Sequence, residues 1–218
     1  SFMDYIPYST PSTLLGQLQK STFENKSYNV EFIANYQNSF KRFNYGITLG
    51  GNMYHVDNKS HTITAKNMSM HETVALQSFL QKEITEGSWR KEINSLFGMV
   101  NLSWKDLLYA DVTLRRDQSS TLPVNNNVYF YPSVGGNFLF SELIKPNPIL
   151  SFGKLRASWA QVGSDADPFM LDLNYIMTDK TFSNYSTGYI STGTIPNKDL
   201  KPSKTNSFEI GLDLKFLN

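Results

Sequence analysis

The chain has 218 residues, 40% of them hydrophobic and only 18% charged, with a formal net charge of +1. Such a balance excludes a disordered chain and a bundle of membrane helices, and a charge so near zero excludes an electrostatic nucleic-acid binder. Cysteine is absent, which removes disulfides, thiolate metal sites and cysteine nucleophiles.

No apolar run approaches the roughly 18–20 residues of a membrane helix. The opening SFMDYIPYST has neither the basic region nor the apolar stretch of a signal peptide, and no initiator Met, so a mature, cleaved or truncated chain is expected. In chain order, residues 14–22 are a weak strand candidate. The clearer pattern starts at 28–36, where Tyr28, Val30, Phe32, Ala34 and Tyr36 share one face with Asn29, Glu31 and Asn35 opposite. After the short link 39–42, Phe43, Tyr45, Ile47, Leu49 and Met53 repeat it, giving a hairpin. Residues 55–92 read as a long loop. Within it Ser69-Met70-His71-Glu72 fits a capping box, and Val74, Leu76, Phe79, Leu80 and Ile84 give a ragged apolar face, so one loop helix is expected.

A second hairpin pairs Gly98, Val100, Leu102 and Trp104 with Leu108, Ala110, Val112 and Leu114 across the turn at Lys105-Asp106. Strands follow at 127–140, 150–162 and 204–217. In the last, Phe208, Ile210, Leu212, Leu214 and Phe216 alternate with Glu209, Gly211, Asp213 and Lys215. About eight strands result, many longer than the roughly five or six residues usual in soluble sheets and close to the roughly 9–11 of a tilted membrane strand. The links at 38–42, 104–107 and 141–149 fall at one end, and 55–92, 117–126 and 163–203 at the other. Short turns on one side and long loops on the other mark outer-membrane barrels. The oily faces are therefore expected to meet lipid, with aromatic residues such as Tyr28, Tyr36, Phe43, Trp104, Trp159 and Phe216 in the interfacial girdles. Arg115, Lys154, Arg156, Glu209 and Asp213 are expected to face a polar lumen, since a basic residue at mid-bilayer costs roughly 2–4 kcal/mol. Their bland role is mutual pairing, wall hydration or contact with a plug, and the sharper one is lining a solute path. From pattern alone a soluble β-rich domain stays open.

Four stretches resemble a known family in order and spacing: VTLRRDQSS at 112–120, YFYPSVGGNFLFSE at 129–142, LSFGKLRASWAQVGS at 150–164 and PNKDLKPSKTNSFEIGLDLKFLN at 196–218. They are similar to segments of the SusC/RagA-type TonB-dependent transporters of the Bacteroidetes outer membrane, and NVEFIANYQNSFKRFNYGITLGGN at 29–52 is similar to preceding strands of that family. The resemblance implies an all-β fold: an antiparallel up-and-down transmembrane β-barrel segment, about eight strands of a 22-stranded barrel with long extracellular loops. It implies that 1–218 is a partial barrel domain, with the plug and the TonB-contacting region absent from this chain. It further implies import of glycan or peptide oligomers across the Gram-negative outer membrane, a SusD-like surface lipoprotein, the TonB complex and outer-membrane lipid as partners, and neither nucleic acid nor cofactor. The alternatives are a soluble β-rich carbohydrate-binding module and a small stand-alone barrel acting as an adhesin or structural protein.

No catalytic residues and no metal site are expected. His55, His61 and His71, near Asp57 and Glu72, match no standard ligand spacing. Ser158 with Asp165 and Asp167 makes no triad, because no histidine follows His71. The glycine pairs at 50–51 and 135–136 lie inside strands, where glycine marks a bulge or a close approach. Substrate contact is expected from Tyr175, Asn184, Tyr185 and Tyr189 in the 163–203 loop, whose rings suit sugar faces and whose amide suits hydroxyls.

Overall fold

The computed structural model describes residues 2–6, 16–69, 74–144, 149–173, 175–183, 185–190 and 195–217. Ten strands lie in them: β1 (Phe2–Ile6), β2 (Gln17–Phe40), β3 (Phe43–Met68), β4 (Phe79–Trp104), β5 (Leu108–Ser119), β6 (Val128–Phe138), β7 (Leu150–Ser164), β8 (Tyr175–Phe182), β9 (Tyr185–Ile190) and β10 (Ser203–Phe216). Eight form one antiparallel sheet in the order β1-β2-β3-β4-β5-β6-β7-β10, and β8 pairs with β9 alone. Sequence neighbours are thus sheet neighbours, with the β8–β9 hairpin inserted between β7 and β10. The chain divides into two units, residues 1–28 with 55–91, and residues 29–54 with 92–218.

The second unit carries the alternation into three dimensions. Val100, Val112, Val134, Trp159 and Phe208 stand side by side across β4, β5, β6, β7 and β10. The next row is Leu102, Ala110, Gly136, Ala157 and Ile210, and the one after it Trp104, Leu108, Phe138, Leu155 and Leu212. On β2 and β3, Phe32 and Gly51 share this face with Leu96, as Leu49 does with Gly98. Among the described residues almost nothing covers it: Phe208 is 77% and Ile210 73% exposed, and the buried hydrophobics of this unit are only Leu107, Leu122 and Tyr129. An apolar face this broad, without a core beneath it, requires an apolar medium outside it. At the foot of the unit the short turns touch. Lys105 donates its N–H to the Arg42 carbonyl at 2.9 Å, and Leu139 donates to Leu107 at 2.9 Å.

The first unit has a small core of its own, Leu18, Ala65, Met68 and Phe79, with Leu76 against it. From that core back along the strands, β3 and β4 are laced by cross-strand pairs: Lys66 to Glu83 at 3.7 Å, His61 to Glu86 at 3.0 Å and Arg90 to Asp57 at 3.4 Å.

Three expectations are corrected. Residues 55–92 are not a long loop, because β3 runs to Met68 and β4 starts at Phe79. The expected helix is absent among the described residues. A single 3-10 turn, Leu76–Ser78, leads straight into β4, where Phe79 is buried and Leu80 72% exposed, a strand's alternation. Of the capping-box residues, 70–72 lie outside the described residues. The separate strand at 14–22 merges into β2, and β1 supplies the additional strand of the sheet.

Candidate solute-lining face

The opposite face of the second unit is largely polar, because successive side chains of a strand point to opposite sides and the alternate positions carry mostly charges, amides and hydroxyls. Lys154 and Asp213 are directly opposed in register, and Nζ lies 3.7 Å from Oδ2. Arg156 sits opposite Gly211, where a Cβ would fall 2.1 Å from Nε. The missing side chain lets the guanidinium lie across β10 and reach the Glu209 carboxylate at 3.6 Å. Arg115 donates Nε to Asp117 Oδ1 at 2.8 Å and Nη2 to Ser95 Oγ at 2.9 Å, and its guanidinium stands 5.9 Å from the Phe97 ring centroid. Phe97 in turn fills the space over Gly50, whose absent Cβ would lie 2.3 Å from Cζ. Amides continue the face: Asn101 donates to Asp111 at 2.5 Å, Asn44 to Ser103 at 3.1 Å, and Asn52 to Asn29.

Open recesses follow these groups. One of about 750 Å³ is lined by Gln37, Asn44, Asn101, Tyr109, Asp111 and Asn137. Another of about 440 Å³ is lined by Asn29, Glu31, Asn52, Tyr54, Arg115 and Asp117. Above them lies a buried polar knot. Ser119 donates to Asp165 Oδ2 at 2.6 Å and Thr121 to the same oxygen at 3.3 Å, fastening the segment after β7 to β5. Such a face offers hydrogen bonds and fixed charges to a passing polar solute, and no nucleophile–base pair.

Two faces of opposite character on one long-stranded antiparallel sheet describe a barrel wall. The family model "TonB dependent receptor-like, beta-barrel" matches residues 3–218. The chain belongs to this family. In barrels of this kind an apolar outer face meets lipid and a polar inner face meets the lumen. It is 30% identical over 130 residues to "TonB-dependent receptor P26" of Formosa agariphila, and 30% identical over 145 residues to "TonB-dependent receptor SusC" of Bacteroides thetaiotaomicron. Those alignments cover 58% and 63% of this chain but only 13% and 14% of the relatives, so the chain spans a small part of their length. Among solved structures, the "RagAB peptide transporter" superposes with a TM-score of 0.84 at 22% identity, over 98% of this chain and 24% of that one. The "RagAB peptide importer in the 'closed-closed' state" gives 0.80 at 23% identity, over 95% and 23%.

The barrel brings the five sequence-predicted charges onto one face, in two pairs (Lys154 with Asp213, Arg156 with Glu209) and one apart (Arg115, held by Asp117). The loop aromatics it does not bring together. Tyr175 is paired with Ile190 and Tyr189 with Ile176, so the two rings point to opposite faces of the β8–β9 hairpin, while Tyr185 is paired with Phe182 next to the turn. Asn184 lies outside the described residues. Asn101, Asp111, Asp117 and Tyr54 were missed, although each occupies a polar position of an alternating strand, which was signal enough. Among the described residues no group of acids and histidines could hold a metal ion. His61 meets Glu86 and His55 stacks near Tyr28, with ring centroids 6.3 Å apart, while His71 lies outside the described residues.

Proposed function

We propose that this chain is part of the barrel wall of an outer-membrane importer of nutrient oligomers, glycans or peptides, driven through TonB and working with a SusD-like lipoprotein. The observation that carries the reading is the pair of faces on β2–β7 and β10: an uncovered apolar belt on one side and, on the other, a polar face of amides and paired charges. The relatives named TonB-dependent receptors, and the fold shared with a peptide transporter, support it. In this reading 1–218 is a portion of the barrel domain. Arg115, Lys154, Arg156, Glu209 and Asp213 hold the wall polar and hydrated along the solute path, and Tyr175, Asn184, Tyr185 and Tyr189 meet the substrate at the mouth.

Growth tests the function directly. A strain lacking the whole protein is grown on single glycans and on peptide mixtures, and labelled oligomer uptake is measured with and without a protonophore. The reading expects one class of oligomer to lose energy-dependent uptake, restored by the intact gene. Unchanged growth and uptake on every oligomer tried would refute it.

A further inference from the structure

The apolar face carries a misplaced charge where its apolar rows end, with Glu92 and Lys204 at the same parity farther along β4 and β10. Residues Leu108, Ala110, Val112 and Leu114 point to lipid, and Arg116 continues that alternation, opposite Leu96 on β4 and Phe130 on β6. Both neighbours are half exposed and apolar, at 55% and 50%. The guanidinium turns along its own strand, where Nη2 donates to Gln118 Oε1 at 3.3 Å. Beneath it opens a groove of about 390 Å³, lined by Phe32, Leu49, Leu96, Gly98, Leu114 and Arg116. Gly98 deepens it: a Cβ there would meet Leu49 Cδ2 at 3.3 Å. Beyond the groove the same face turns to amides. Asn94 stands opposite Gln118, and farther along the sheet Gln161 donates to Asn206 at 3.1 Å.

We infer that this groove binds a phosphorylated glycolipid of the outer leaflet, with an acyl chain along Phe32, Leu49 and Leu114, the phosphate on Arg116 and sugar hydroxyls at the amides above. An arginine held at the edge of hydrocarbon needs an anion with geometry matched to its fork, which a lipid phosphate provides. An acyl chain suits an apolar groove, and the amides suit a sugar headgroup better than the small headgroup of a phospholipid. The site lies at the end of β5 away from the short turns, the outer end in the reading above, on which this inference rests.

The test uses the full-length protein purified from outer membranes, first shown to migrate as a folded, heat-modifiable barrel. Retained lipid is counted by native mass spectrometry after exchange with monophosphoryl lipid A, its dephosphorylated form, or phosphatidylglycerol. Expected are retention of the phosphorylated glycolipid, loss of about tenfold or more on Arg116→Gln, and recovery on Arg116→Lys. Gly98→Leu, which fills the groove without touching the charge, should cost about fivefold. Equal retention by wild type and Arg116→Gln would overturn the site, and so would indifference to dephosphorylation. Equal retention of phosphatidylglycerol would overturn the glycolipid assignment, and displacement by inorganic phosphate at millimolar concentration would assign a free-anion site instead. A wild-type protein that fractionates away from membranes would overturn the barrel reading itself, which separates that failure from the failure of the groove.

Discussion

Replacing Leu212 by arginine tests the facing of the barrel wall at its most exacting point. On β10 the lipid-facing residues run from Phe208 to Phe216, so Leu212 is at the centre of the span, 58% exposed on the apolar face beside Leu155. An arginine at mid-bilayer costs roughly 2–4 kcal/mol, and the cost falls to about 0–1 kcal/mol near either interface. That range is roughly a 30- to 900-fold change in the folding equilibrium. Phe216→Arg, at the foot of the same strand, should fall at the low end. Asp213→Asn is the control on the other face: it removes a half-exposed partner of Lys154 at 3.7 Å, worth about 0–1 kcal/mol. The full-length protein is unfolded in urea and refolded into lipid vesicles, and the heat-modifiable gel band gives the folded fraction. The expected order of destabilisation is Leu212→Arg well above Phe216→Arg and Asp213→Asn. If Leu212→Arg matched Asp213→Asn, the assignment of faces would be wrong.

Three further outcomes follow from packing. Gly50→Ala should destabilise by about 1–2 kcal/mol, because its methyl meets the Phe97 ring and lies 2.9 Å from the Phe32 carbonyl; Phe97→Ala should recover part of that loss in a double-mutant cycle read by urea midpoint. Phe79→Ala should cost about 3–5 kcal/mol locally, by emptying the centre of the Leu18–Ala65–Met68 cluster, and should show as faster proteolysis of 55–91 with the heat-modifiable band retained. Asp165→Ala should leave the buried Ser119 and Thr121 hydroxyls without their shared acceptor, cost about 1–3 kcal/mol, and speed hydrogen exchange in the segment after β7.

How much of this was readable depended on the medium around each strand. SFEIGLDLKF was transparent because its apolar and polar residues alternate without a break, as a strand with one face in an apolar medium and the other in water requires. The stretch HVDNKSHTITAKNM of β3 was opaque for the converse reason: its buried Val56, Ala65 and Met68 are sparse and keep no strict period of two, so a strand reads as a loop. Its pairing partners, Glu83, Glu86 and Arg90, are far along the sequence and carry no local mark. The false helix arose from a capping-box string followed by ragged apolar residues, of which Phe79 turned out to be buried and Leu80 and Ile84 exposed. Arg116 was legible by parity alone, as the continuation of Leu108–Leu114, yet the groove beneath it needed three strands in register. The lumen charges were readable by the same parity, but not their pairing, since Arg156 reaches Glu209 only because Gly211 is vacant opposite it.

The laced hairpin of β3 and β4 gives single strands two mechanical regimes. Along the apolar face of the second unit, cohesion comes from the backbone ladder, which carries no net charge for dissolved ions to screen. In the hairpin of the first unit, Arg90–Asp57, His61–Glu86 and Lys66–Glu83 join the strands by side-chain pairs near the surface, where dissolved ions weaken charge pairs. Salinity therefore acts as a tuning knob on the charge rungs of this hairpin, softening it as salt rises.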